Sequence, residues 1–284
     1  MNRRQALAQA RRVLANGNIE DAYLEGEILL RHVLGIDRAR LFSDLDGNLT
    51  PTQIESLEQV LACRLSGQPS AYIIGHREFH GLDFKVNRHV LIPRPESELL
   101  VEKAISLCRS GAVSRIADIG TGCGAIAISL AINLPATTIY ATDISSQALE
   151  VAGENCRRHG VMDRVVLLQG DMLEPLPEPV DLIIANLPYV RETDMPASGP
   201  LSFEPKLALS GGKDGLDRIK LLCRQAGEKL RENGNMLMEI GQGQAGAVKS
   251  ILHESFPSAL VEIDRDLAGI ERVVSLRLTQ HRTE

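Results

Sequence analysis

The sequence predicts an α/β chain: a small all-α domain and a two-stranded linker, followed by an open, mostly parallel sheet. Three observations predict it. Over residues 1 to about 68, apolar side chains recur at helical spacing. Residues 71–92 then alternate and carry β-formers. From residue 115 on, seven short apolar runs follow, and amphipathic segments separate the first six of them. Such alternation buries a parallel sheet between two helical layers.

The helical region reads element by element. Ala6, Leu7, Ala10, Val13 and Leu14 mark a first helix, and Asn16-Gly17-Asn18 ends it. A second helix runs near 20–34, with Gly35 placed as its C-cap. Thr50 is a natural N-cap and Pro51 a natural first helical residue for a third helix through Leu65. Four or five helices are expected in all. In the linker, AYIIGHREF and LDFKVNRHVLI form two strands about a turn at Gly81. Pro93-Arg94-Pro95 stops the second, and a helix follows from about Glu96 to Cys108.

The seven strand candidates are RIADIG, TIYATD, VVLLQGD, DLIIAN, GNMLMEIG, ALVEID and RVVSLRL. A short loop separates the last two, which suits an antiparallel pair.

Composition bounds what the chain does. It has 284 residues, 44% apolar and 24% charged, as expected of a globular protein of one or two domains. Aromatics are only 3% and Trp is absent, so the core is aliphatic. The net charge of −6 removes a global basic surface for nucleic acid. No run reaches the ~18 apolar residues that cross a bilayer. The opening MNRRQALAQARRVL lacks a signal-peptide core and reads as a basic amphipathic helix rather than a presequence. The five cysteines form no CxxC pair, which fits free thiols in a reducing cytosol. His76, His80 and His89 lack metal-ligand spacing and read as surface or hairpin residues, so no metal is expected.

The first run of the sheet ends in Asp118-Ile119-Gly120-Thr121-Gly122-Cys123-Gly124, and a helical segment follows. Glycines in a strand-to-helix turn let backbone approach a ligand. The GxGxG spacing with a preceding acid favours a ligand carrying an amino acid group and a ribose over one carrying a pyrophosphate. Asp118 supplies an acidic rim for an ammonium. Cys123 has no neighbouring base and is simply small enough to fit. The second strand ends at Asp143, where an acid accepts from ribose hydroxyls. The third ends at Gly170-Asp171-Met172; Asp171 suits an adenine amino group and Met172 a ring face. Taken singly, these acids suit helix caps or turns. Together they occupy the edge where open α/β sheets bind ligands. Here the chain resembles the class I S-adenosylmethionine-dependent methyltransferases, which implies a Rossmann-like seven-stranded sheet and S-adenosyl-L-methionine as cofactor.

The fourth strand ends in Asn186-Leu187-Pro188-Tyr189. This resembles the Asn-Pro-Pro-Tyr motif of methyltransferases that act on planar amino nitrogens. The Asn186 side-chain oxygen and, by analogy, the Leu187 carbonyl accept the two N–H groups of the substrate. That aims a poor nucleophile at the methyl. Tyr189 can stack on the planar group. Leu187 departs from the motif's first proline; it keeps the carbonyl and loses a locked φ.

Further stretches narrow the family. They are Gly75-His76-Arg77-Glu78-Phe79, Leu91-Ile92-Pro93-Arg94-Pro95-Glu96-Ser97-Glu98, Phe203-Glu204-Pro205 and Gly211-Gly212-Lys213-Asp214-Gly215-Leu216. Together they closely resemble the release-factor glutamine methyltransferases (the PrmC/HemK family), over essentially the whole chain. The resemblance implies methyl transfer to the glutamine amide in the Gly-Gly-Gln motif of peptide chain release factors. It implies a helical substrate-docking domain at 1–70, a β-hairpin linker at 71–94 and a methyltransferase domain at 95–284. Asn186 serves both the amide clamp and the cofactor site, and Thr121 joins the cofactor loop. Arg77, Arg94 and Glu96 either position loops at the substrate entrance or ion-pair within the linker. A cytoplasmic monomer that touches neither nucleic acid nor membrane is expected. An adenine methyltransferase of nucleic acid and a non-catalytic binding module stay open as alternatives at this point.

Overall fold

The computed structural model describes residues 1–111 and 113–279. It divides into two compact units: Met1–His76 with Pro196–Phe203, and Arg77–Met195 with the chain from Glu204 onward.

Five helices build the first unit: α1 (Arg3–Asn16), α2 (Ala22–Leu34), α3 (Arg38–Ser43), α4 (Pro51–Leu65) and α5 (Ser70–Ile74). Leu7, Leu14, Leu29, Leu30, Leu41 and Leu57 meet in its aliphatic core. Capping boxes open α1 at Asn2 and α4 at Thr50, with Pro51 at the first turn. Gly35 ends α2 at φ 64°, the left-handed cap expected of it.

The linker corrects one reading. AYII is helical, as α5, and only β1 (His76–Phe79) and β2 (Leu82–Lys85) form the hairpin. Pro69 opens α5 and Gly75 closes it at φ 81°, so local caps override the β-formers between them. Beyond β2, VNRHVLI is irregular. There the Asn87 side chain caps the His89 N–H, and the Ile92 N–H donates to Glu204.

In the second unit α6 (Glu98–Ser110) starts after a 3-10 turn at Pro95–Ser97. Then follow β3 (Arg115–Ile119), α7 (Ala125–Asn133), β4 (Thr138–Asp143), α8 (Ser146–Arg158), β5 (Val165–Gln169) and β6 (Val180–Ala185). A short α9 (Lys206–Leu209) precedes α10 (Asp217–Lys229), β7 (Leu230–Glu239), α11 (Ala245–Ser255), β8 (Leu260–Arg265) and β9 (Glu271–Arg277). All seven expected strands are present in one sheet, in the order β5-β4-β3-β6-β7-β9-β8. The first five are parallel; β9 runs antiparallel to both β7 and β8. Strand β7 starts four residues ahead of GNMLMEIG, at Leu230. A register shift against β6 and Asn233 at φ 60° take up the irregularity. Helices α10 and α11 pack on one face over Ile119, Ile183, Met236 and Val274. Helices α6, α7 and α8 cover the other, where Leu100, Ile116, Ile128 and Ile139 are buried.

This order places β3 beside both β4 and β6. The chain leaves β3 toward one edge and returns to its other side, so a crevice opens at the carboxyl ends of β3, β4 and β6.

Candidate functional site

The turn from β3 to α7 is shaped by its glycines. Gly120, Gly122 and Gly124 stand at φ 70°, 57° and 83°, where a Cβ is strained. A Cβ on Gly124 would lie 3.0 Å from Ile128 Cδ1, whereas one on Gly122 would meet nothing within 4 Å. The backbone at Gly122 therefore presents an open face to the crevice.

Asp118 lies beneath this turn and does not line the crevice. Its carboxylate is 1% exposed; Oδ2 accepts from the Thr121 hydroxyl at 2.6 Å and the Ala127 N–H at 3.2 Å. Burial pushes its carboxyl up to about 6 against the pull of these donors, with Asp143 adding to the rise. Thr121 and Cys123 are buried with it, and burial pushes the Cys123 thiol up to about 12.

Asp143 at the end of β4 does face the crevice. Its Oδ2 accepts from the Gly122 N–H and its Oδ1 from the Ser145 N–H, each at 2.9 Å. Burial raises its pKa, and these N–H groups oppose the rise. The Ile144 N–H opposes it too, and the carboxylate's remaining lone-pair capacity is open to a further donor. Past β5, Met172 sits at φ 55°, a left-handed conformation rare for a side-chain-bearing residue. The Thr142 hydroxyl holds it by donating to its carbonyl at 2.9 Å.

At the end of β6, Asn186, Leu187 and Pro188 form the opposite wall. Leu187 is buried, and its Cδ2 lies 3.6 Å from where a Cβ on Gly120 would stand. The Asn186 Nδ2 donates to Ser97 Oγ at 2.8 Å, and Ser97 Oγ donates to Glu239 Oε2 at 2.5 Å. The Tyr189 hydroxyl donates to the other oxygen of Glu239 at 3.4 Å. Burial raises the Glu239 pKa, opposed by Ser97, Arg272 and Tyr189; it likewise pushes the Tyr189 phenol up to about 12, with Glu239 contributing. Tyr189 turns to Glu239 and does not line the pocket.

The pocket encloses a cavity of about 120 Å³. It brings together Gly120, Gly122, Asp143, Asp171, Met172, Asn186, Leu187 and Pro188, and leaves Asp118, Thr121, Cys123, Gly124 and Tyr189 behind its walls. Sequence reasoning missed Ile144, Ser145 and Arg218, and it read His89, which lines the pocket, as a surface or hairpin residue. The signal for Ile144 was an apolar residue directly after a strand-end acid. Glu204 was part of a motif, but its contacts were unseen. It is buried, accepts from the Ile92 N–H at 3.0 Å and pairs with Arg94. The Val90–Leu91 and Pro205–Ala208 walls are thereby tied together. Arg94 is ion-paired, but with Glu204 outside the linker rather than within it.

Residues 5–75 match the PrmC N-terminal domain, and residues 95–198 match the methyltransferase small domain. The chain is 42% identical over 274 residues to the release factor glutamine methyltransferase of Moorella thermoacetica, covering 96% of this chain and 97% of that protein. It is 40% identical over 280 residues to the release factor glutamine methyltransferase of Cereibacter sphaeroides, with 98% and 99% covered. Among solved structures, a methyltransferase from Pyrococcus furiosus aligns at a TM-score of 0.53 and 17% identity. That alignment covers 71% of this chain and 91% of that one; the likeness speaks to the fold.

Proposed function

The chain belongs to the release factor glutamine methyltransferases, and on that premise we propose that its pocket transfers a methyl group from S-adenosyl-L-methionine to the side-chain amide nitrogen of the glutamine in the Gly-Gly-Gln motif of peptide chain release factors. One observation carries the proposal. The Asn186-Leu187-Pro188 wall and the Gly120–Gly124 loop with Asp143 border one pocket, so an amide clamp and a nucleoside site share one space.

The residues present fit the cofactor. Asp143 offers free lone pairs to ribose hydroxyls, and Asp171 an acceptor for an amino group. Ile144, Met172 and Leu187 offer apolar surface to a flat base. The open Gly122 face admits close backbone approach. When bound, S-adenosyl-L-methionine supplies an electrophilic methyl on a positive sulfur.

The protein's own part is positioning. A glutamine amide is a weak nucleophile because its lone pair is delocalised. Asn186 Oδ1 and the Leu187 carbonyl accept its two N–H groups and aim the nitrogen. Pro188 biases Leu187 toward the extended conformation that presents this carbonyl. No strong base is required, since the nitrogen sheds its proton after transfer.

Residues 1–70 are assigned the docking of the protein substrate, because they carry no ligand motif. Cytoplasmic location, a monomeric state and, on the acidic net charge, the absence of direct nucleic-acid contact belong to the same proposal. Among the described residues, no helix is long and apolar enough to cross a membrane.

Labelled methyl transfer tests this reading. Offered release factor, a Gly-Gly-Gln peptide, DNA and RNA, the enzyme should label the release factor on its glutamine amide and leave nucleic acid unlabelled. Label in DNA or RNA, or none in the release factor, overturns it.

A further inference from the structure

We propose that Ser97 and Glu239 are positioning residues that fix the Asn186 side chain with its Oδ1 toward the pocket, through a relay of directed hydrogen bonds. The inference rests on the reading of Asn186 as the amide clamp.

Proton counting carries it. An Asn amide is nearly symmetric in shape, so packing alone leaves its oxygen and nitrogen interchangeable. Only the oxygen can accept a substrate N–H. Something must therefore tell the two ends apart. Ser97 Oγ lies 2.8 Å from one end of the Asn186 amide and 2.5 Å from Glu239 Oε2. A hydroxyl has one proton to give. In its ionised form, which Arg272 and the two hydroxyls at its oxygens favour against burial, the Glu239 carboxylate has none, so the Ser97 proton goes to Glu239. Ser97 Oγ is then left with lone pairs only on the side of Asn186. The atom facing it must be a donor, which is Nδ2. Oδ1 is turned the other way by elimination.

The surroundings support this polarity. Ser97 is 3% exposed and Glu239 2%, so water does not compete for these bonds. The other Glu239 oxygen receives the Tyr189 hydroxyl, and Arg272 favours the ionised carboxylate. Both oxygens thus face donors, which holds Glu239 as an acceptor. Ser97 sits just before α6 and Glu239 ends β7, 142 residues apart. The relay enters Asn186 from behind the pocket wall and touches neither ligand.

Kinetics of variants test the relay. Ser97→Ala removes the acceptor that marks the Nδ2 end. Turnover of a Gly-Gly-Gln substrate should fall about 10- to 100-fold, the scale of a misdirected reacting group. The Kd for S-adenosyl-L-methionine should stay near wild type, and the variant should stay folded at the assay temperature with a lower melting temperature, since Glu239 and the Asn186 amide lose a buried partner. Ser97→Thr, which keeps a hydroxyl, should recover most of the lost turnover. A merely structural Ser97 would shift stability and leave kcat unsplit from it. Folded Ser97→Ala within threefold of the wild-type kcat overturns the relay, and so does an equal loss in folded Ser97→Thr. Should Ser97→Ala fail to fold, the wild-type protein decides. With nitrogen-15 labelling, one Asn186 Nδ2 proton should exchange slowly with solvent, and two fast-exchanging protons overturn the relay. A wild-type enzyme that methylates no Gly-Gly-Gln substrate overturns the reading of the site itself. Normal wild-type turnover that Ser97→Ala leaves intact overturns the relay alone.

Discussion

The Gly122 N–H donates to Asp143 Oδ2 across 2.9 Å, joining the glycine turn after β3 to the acid at the end of β4. One carboxylate thus shapes the loop and faces the pocket. Asp143→Ala should weaken S-adenosyl-L-methionine binding by about 1.5–3 kcal/mol, because charge-assisted bonds to the ribose are lost and the turn loses its tie. Calorimetry reads this directly. An unchanged Kd would place the ribose elsewhere.

Asn186→Ala separates binding from transfer. Removing the amide that aims the nucleophile should lower kcat by two orders of magnitude or more, about 3 kcal/mol of transition-state positioning. Cofactor affinity should change little. Activity within threefold of wild type would withdraw Asn186 from the clamp.

Glu204→Ala should destabilise the fold by about 3 kcal/mol, since it leaves the Ile92 N–H and the Arg94 guanidinium without their shared acceptor. Glu204→Gln retains an acceptor for the N–H and should lose less. Urea denaturation of the three proteins gives the comparison. A loss under 1 kcal/mol in the alanine variant would mean that other contacts hold this wall.

Asp118 makes stability depend on pH. Its carboxyl titrates near 6 in the folded protein against an ordinary 3.8. Between these values the folded state binds more protons than the unfolded one. The contribution is therefore full below about pH 4 and is lost as pH rises through about 6, on the order of 3 kcal/mol in all. Asp118→Asn should flatten that decline. Parallel wild-type and variant stability curves from pH 4 to 7 would count against the assignment.

The sheet was legible because the central parallel strands β3 and β6 are buried on both faces and read as apolar runs, as in IADI and DLIIA. Gly122, Asp143 and Asn186 were legible because strand ends carry loop chemistry at readable places. AYII misled because its β-formers gave no hint that Pro69 and Gly75 would cap a helical turn. The Ser97–Glu239 bond and the tie from Glu204 to Ile92 were invisible for a different reason. They join residues 142 and 112 positions apart, and periodicity carries no information at that range. Asp118 and Tyr189 show a third limit. Their places beside the loop and the motif were clear, but the direction of each side chain was set by partners that local pattern does not reveal.

The Glu204 tie also bears on the order in which the chain folds. Closing a loop of 112 residues costs configurational entropy that no local contact offsets. Contacts of such separation form slowly and late. A chain emerging from synthesis can hydrogen-bond β3, β4, β5 and β6 before residue 204 exists, yet its Val90–Leu91 wall has no tie until that carboxylate arrives. Nascent chains that stop short of Glu204 would accordingly carry a pocket with its Asn186–Pro188 wall in place and its Val90–Leu91 side untied, and the last wall would be fixed only after the first two are built.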